Sequence, residues 1–140
     1  LFKVSLLAEF KTTPGATIYS MAARAERVFK TAWFAKATKK ARIPDEELCS
    51  AVWQVMLGQA DDLGGGVFKK RLGKNLYRSL ILARGRKYWV YAYLFAKQDR
   101  ANIDEDELAG FRALAGLYAR KTAEDLAKEV QLKELVEICQ

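Results

Sequence analysis

Between residues 67 and 100 the chain gathers side chains suited to holding a polyanion. Ten are basic: Lys69, Lys70, Arg71, Lys74, Arg78, Arg84, Arg86, Lys87, Lys97 and Arg100. Asp99 is the only acid among them, so this stretch carries a net +9, while residues 1 to 66 carry +2 and residues 101 to 140 carry −4, for +7 overall. Seven aromatic residues lie between these cations: Phe68, Tyr77, Tyr88, Trp89, Tyr91, Tyr93 and Phe95. Cations attract phosphates, and aromatic faces stack on unpaired bases. Together they point to RNA rather than to a small metabolite. The chain has no histidine, which removes the usual general base and the commonest metal ligand. Chemistry here must run on Lys, Arg, Tyr, Asp, Glu or Ser. No metal or cofactor is expected.

The pattern that carries these residues reads as a sheet. Strands are predicted at Val67 to Leu72, Leu76 to Ala83 and Tyr88 to Phe95. They are joined by short links containing Gly73 and Gly85, as antiparallel hairpins are. Alternation groups Lys69 and Arg71 with Val67, and Lys70 with Phe68 and Leu72. The apolar pair is expected to face the core and Lys69 and Arg71 to face outward. Trp89, Tyr91, Tyr93 and Phe95 fall on one face by the same rule, with at least two of the rings packed on helices. Gly64 to Gly66 lacks the lysine and hydroxyl of a phosphate loop, and reads as a flexible entry to the sheet.

Around the sheet the periodicity is helical. Arg27 to Thr31 suits a short strand and Ala32 to Arg42 a helix. Pro44 opens a second helix, with Asp45, Glu46 and Glu47 at its positive end and Leu48, Val52, Val55 and Met56 as its apolar stripe. Towards the C-terminus, Asp104 and Glu107 have the spacing of a capping box, with Ile103 and Leu108 as its staple. Leu108, Phe111, Leu114, Ala115 and Tyr118 form the stripe of the helix that follows. Thr122 and Asp125 mark another start, and Leu135 to Ile138 a last extended piece. The acids at 104 to 107 are read as caps rather than metal ligands.

A length of 140 residues with 51% hydrophobic and 29% charged content suits one soluble domain. No window is long and apolar enough for a membrane span, and the apolar patch near Val4 is too short for a signal peptide. A cytoplasmic location is expected. Residues 1 to 24, with the turn signal Thr12 to Gly15, are expected to form an extension outside a core of residues 25 to 140. Cys49 and Cys139 are too few and too far apart for a disulfide framework or a zinc motif, and are expected as reduced thiols.

Three stretches carry a family resemblance: Gly66-Val67-Phe68-Lys69-Lys70-Arg71, Tyr77-Arg78, and Phe95-Ala96-Lys97-Gln98-Asp99-Arg100-Ala101-Asn102-Ile103. With Val28 to Thr31 and Trp33-Phe34 before them, the chain from about Arg27 to Ile138 resembles the RelE/HigB-like toxins of bacterial type II toxin–antitoxin systems, within the RelE/ParE superfamily. The resemblance implies an α+β fold, in which a small antiparallel sheet packs against two N-terminal helices with C-terminal helices beside it. It also implies a metal-independent endoribonuclease that cuts messenger RNA on the ribosome, and a cognate antitoxin, by analogy a helix-turn-helix protein. No membrane partner is implied.

By that resemblance Arg78 matches the arginine that opens the YR strand, and Lys97 the basic position at the end of the last strand. RNA supplies its own nucleophile, the 2′-hydroxyl. The protein must stabilise phosphate charge, for which the arginine fork is suited, and move protons. Arg78 is assigned to the phosphate, and Lys69 or Lys97 to proton transfer after a fall in pKa from neighbouring cations. Lys70, Arg71, Lys74 and Arg100 are assigned to RNA binding, with Tyr77 or Tyr91 stacking on a base. Two alternatives stand beside this reading. One is a ParE-like toxin that binds DNA gyrase without cutting RNA, and the other is a nucleic-acid-binding domain with no chemistry.

Overall fold

A computed structural model describes residues 26–140 of the chain. The proposed extension at 1 to 24 lies outside the described residues. Strand β1 (Arg27–Thr31) runs directly into helix α1 (Ala32–Ala41), capped by the Thr31 side chain, and α2 (Asp45–Met56) follows. A two-residue strand β2 (Asp61–Asp62), which the sequence pattern had not marked, precedes β3 (Val67–Leu72), β4 (Tyr77–Leu82) and β5 (Tyr88–Ala96). Helices α3 (Glu105–Ala119) and α4 (Ala123–Gln131) then lead to β6 (Leu135–Ile138).

The six strands form one sheet in the order β2-β3-β4-β5-β1-β6. The sheet is antiparallel except where β1 runs parallel to β5. Both faces are covered. On one, Phe34 of α1 and Leu48, Val52 and Val55 of α2 bury Val28, Phe68, Ile81, Trp89 and Tyr91. On the other, Ala115 of α3 and Leu126 of α4 close over Phe29, Val67, Leu80, Leu82, Val90 and Leu135, with Leu108, Phe111, Leu114 and Tyr118 packed around them. Both C-terminal helices begin with complete capping boxes, Asp104 with Glu107 and Thr122 with Asp125, as their spacing predicted. Gly64 to Gly66 all have positive φ, and Cβ at Gly66 would come within 2.4 Å of the Arg84 backbone. The run is a tight turn into β3, and at Gly66 it leaves no room for a side chain.

Two expectations about distant parts of the chain change. The first concerns β5. Leu80 pairs with Tyr93 but Ile81 with Tyr91, so Ala92 is an extra residue in a β-bulge. A bulge reverses the alternation beyond it. Trp89 and Tyr91 therefore face α1 and α2, whereas Tyr93 and Phe95 face α3. The four rings do not share a face. The second concerns the cysteines. Cys49 of α2 and Cys139, next after β6, form a disulfide that closes 90 residues of chain, rather than two separate thiols. Their separation in sequence hides a proximity set by sheet order. β6 lies beside β1, and its end returns to the face that α2 covers.

Candidate nucleic-acid interface

Strands β3 and β4 bring the cations together by register. Arg71 lies directly opposite Arg78, which in turn lies opposite Phe95 on β5. Lys69 lies opposite Leu80 and, beyond it, Tyr93. Cross-strand partners point the same way, so Lys69, Arg71, Arg78, Tyr93 and Phe95 occupy the α3 face. Lys69 and Arg71 were expected to face outward, away from the core. Their face in fact has a core of its own, which α3 covers at one end and leaves open at the other. There Arg71 is exposed and Arg78 and Lys69 are half-buried.

Two arginines directly opposite each other repel. Among the described residues no acid bridges either of them. Arg78 uses Nη1 to donate to the carbonyls of Asn75 and Tyr77, each at 3.1 Å. These bonds hold the guanidinium against the strand end and leave Nε and Nη2 without an acceptor among the described residues. Such a fork is ready for an anion with two oxygens. Lys69 donates to Oδ1 of Asn102 at 3.3 Å and lies 3.8 Å from a carboxylate oxygen of Asp61. Asn102 also accepts from the Ile103 N–H, so it ties the lysine to the start of α3.

The other expected residues are placed less uniformly. Lys74 is exposed at the tip of the β3–β4 hairpin, where Gly73, Lys74 and Asn75 all have positive φ. Lys97 is exposed just past β5, and its N–H donates to the Leu76 carbonyl to extend the ladder by one bond. Lys70 shares the α2 face with Phe68, and its ammonium donates to the Gln59 carbonyl at 2.8 Å. Burial holds its pKa below the usual lysine range, and the charge of Arg71 adds to that. Lys69, Lys70 and Arg71 together line a cleft of about 250 Å³ beside Gln59, Ala60 and Asp61. Tyr77 is half-buried on the α1/α2 side.

Arg100 is clamped in a fork by the Glu107 carboxylate, donates to the Asn102 carbonyl, and lies over the Phe95 ring. That bond, and then the backbone N–H of Asp104, hold the Glu107 carboxyl down to about 2. Tyr91 is not available to a base. It is fully buried, stacks on Phe34 at 4.9 Å, and donates to the Leu48 carbonyl at 2.7 Å. Its burial pushes the hydroxyl pKa well above the ordinary value, so it stays a neutral donor.

The segment from 67 to 100 is thus not one basic surface. Arg84, Arg86 and Lys87 sit at the opposite end of β4 from Arg78. There Arg86 covers the rings of Phe68 and Trp89. Sequence reasoning passed over Asn102, Glu107 as a clamp for Arg100, and Trp33. The first lies within the Phe95 to Ile103 motif and could have been noticed. Trp33 stands 60 residues from its stacking partner Tyr93, and no local signal joins them. No group of acids or cysteines among the described residues is arranged to hold a metal ion. No described helix is long and apolar enough to cross a membrane.

Compared with known protein families, residues 26–138 match the family described as the RelE toxin of the RelE/RelB toxin–antitoxin system. No curated protein and no solved structure matches the chain.

Proposed function

Because this chain belongs to the RelE toxin family, we propose that it acts as the toxin of a type II toxin–antitoxin pair by cutting messenger RNA, with translating ribosomes in the cytoplasm as its setting. Family membership supports the toxin role. The observation that carries the chemistry is the Arg71–Arg78 pair, two cations facing each other beside Phe95 with no bridging acid among the described residues. Such a pair costs stability unless an anion arrives.

In this reading the scissile phosphate sits on the free edge of the Arg78 fork, which stabilises the charge of the crowded phosphate in the transition state. The 2′-hydroxyl attacks in line, and its oxygen bonds to phosphorus as the 5′-oxygen of the next nucleotide leaves. A base takes the proton from the attacking hydroxyl, and an acid supplies one to the leaving oxygen. Lys69, positioned by Asn102, and Lys97, exposed just past β5, are the groups proposed for these transfers. Arg71 and Lys74 continue the phosphate track outward. Arg100, neutralised by Glu107, supports the Phe95 ring more than it attracts phosphate. The partner that silences the toxin is a cognate antitoxin.

The test is direct. Wild-type protein added to a translating extract is expected to produce new RNA ends within messages. The Arg78→Ala protein should produce few, and co-expressed antitoxin should abolish them. Gyrase-linked DNA breaks with intact RNA would replace this reading with the gyrase-directed one.

A further inference from the structure

A second feature lies against the cationic face. β1 pairs with β5 only as far as Lys30 opposite Tyr91, after which the chain turns into α1. Among the described residues, the stretch of β5 from Tyr93 to Ala96 is therefore left without a neighbour on that side. A groove of about 550 Å³ runs along it, within the range of ligand pockets. Trp33, in the first turn of α1, stands over the groove. It is 51% exposed and stacks on Tyr93 at 5.1 Å with 23° between the rings. Tyr93 leads on to Phe95 at 6.0 Å, and Phe95 is the cross-strand partner of Arg78.

An indole half in water is unusual for a residue of this size, whose apolar area normally drives it inside. Here Trp33 reaches past the end of β1 to stack on Tyr93, and the indole's outer face makes a flat aromatic wall. Lys40 lines the groove from α1 beside the acid Asp99, and Arg100, paired with Glu107, closes its far end. This combination of a π-face, a flanking lysine and continuity with the phosphate fork fits one chemical class, an unpaired nucleobase on a strand whose backbone follows cations.

We propose that the Trp33–Tyr93 groove is a base-stacking subsite. It holds an unpaired base of single-stranded RNA a short distance along the strand from the phosphate on Arg78. The inference rests on the ribonuclease reading above and adds to it a site on α1, outside the basic strands. Stacking accepts any base and requires that base to be unpaired, so the groove selects single strands over duplexes. It also keeps the strand from sliding while Arg78 holds the phosphate.

The test uses a fully 2′-O-methylated RNA, which cannot be cut, as a labelled single strand and as the same strand in a duplex. Trp33→Ala is expected to weaken single-strand binding about tenfold, the scale of losing one stacked base. Duplex binding should change little, and Trp33→Phe should restore most of the loss. A 2-aminopurine series along the strand should show one position quenched by the wild type and not by Trp33→Ala. Because Trp33 is half exposed its loss leaves no core cavity, and a thermal melt checks the fold. Three results would overturn the proposal. One is wild-type single-strand affinity in folded Trp33→Ala while Arg78→Ala binds weakly, which leaves the ribonuclease reading standing. Another is unchanged RNA binding with lost antitoxin binding, which assigns the groove to the protein partner. The third is no RNA binding by the wild type, which removes both readings.

Discussion

Arg78 and Arg71 are the same residue type in the same pair, yet the structure gives them different work. Arg78 is fixed by two carbonyls and half-buried, while Arg71 is exposed. Arg78→Ala is expected to lower RNA cleavage by on the order of a hundredfold, the usual effect of losing one transition-state charge contact. Arg78→Lys should recover little, since a point charge cannot replace the fork. Arg84→Ala removes the same charge at the far end of β4, so it should leave cleavage within a fewfold of wild type. Single-turnover rates on one RNA would decide between position and total charge: equal losses in both variants, in proportion to RNA affinity, would sink the assignment. Arg71→Ala should weaken RNA binding yet raise stability by roughly 0.2–1 kcal/mol, because it removes a like charge directly opposite another. Urea denaturation at low salt measures this, and a loss of stability would contradict the account of the pair as a functional cost.

At the level of elements, the start of α3 joins architecture to site. Glu107 completes the capping box with Asp104 and also clamps Arg100, which lies over Phe95. The carboxyl is held from an ordinary 4.5 down to about 2, first by Arg100 and then by the Asp104 backbone. A depressed carboxyl pKa means stabilisation that is complete above about 4.5 and lost as pH falls towards 2. The expected outcome is that α3 frays at its N-terminus across that window. Arg100→Ala should move the Glu107 midpoint back up towards its ordinary value, as followed by carboxyl NMR. An unchanged midpoint would show that Arg100 is not the cause. The bulge in β5 makes a second element-scale prediction. Deleting Ala92 restores strict alternation and turns either Tyr93 and Phe95 or Trp89 and Tyr91 to the wrong face. The variant should lose its cooperative thermal transition, whereas Ala92→Ser, which keeps the residue count, should keep it.

For the whole molecule, the disulfide from Cys49 to Cys139 ties the last strand to α2 across 90 residues. Closing a loop of that size restricts the unfolded chain, which typically stabilises by about 2–4 kcal/mol. Reduction, or Cys139→Ser, should lower the free energy of unfolding by that amount in urea at 25 °C. RNA cleavage at the same temperature should not change. Both sulfurs lie with the α1/α2 core, whereas Lys69, Arg71 and Arg78 occupy the α3 face. A parallel loss of activity and stability would mean that the two faces are coupled through the sheet.

The amino-acid sequence by itself determined most of the elements, to within a residue or so at the expected ends, but not β2. Strands β3, β4 and β5, both capping boxes and the apolar stripes of α2 and α3 were legible because capping, turns and alternation act between residues a few positions apart. The cationic segment was legible from composition, and the motifs around Arg78 and Lys97 from a family resemblance. Tertiary structure alone decided which side of the sheet each residue serves. One extra residue at Ala92 separates Trp89 and Tyr91 from Tyr93 and Phe95. Strand length places Arg84 to Lys87 far from Arg78, and the early departure of β1 into α1 opens the groove under Trp33. Cys49 meets Cys139 only because β6 folds back beside β1. Each of these depends on register between distant strands. That register is set by how both faces bury their apolar area at once, which no stretch of the chain specifies alone.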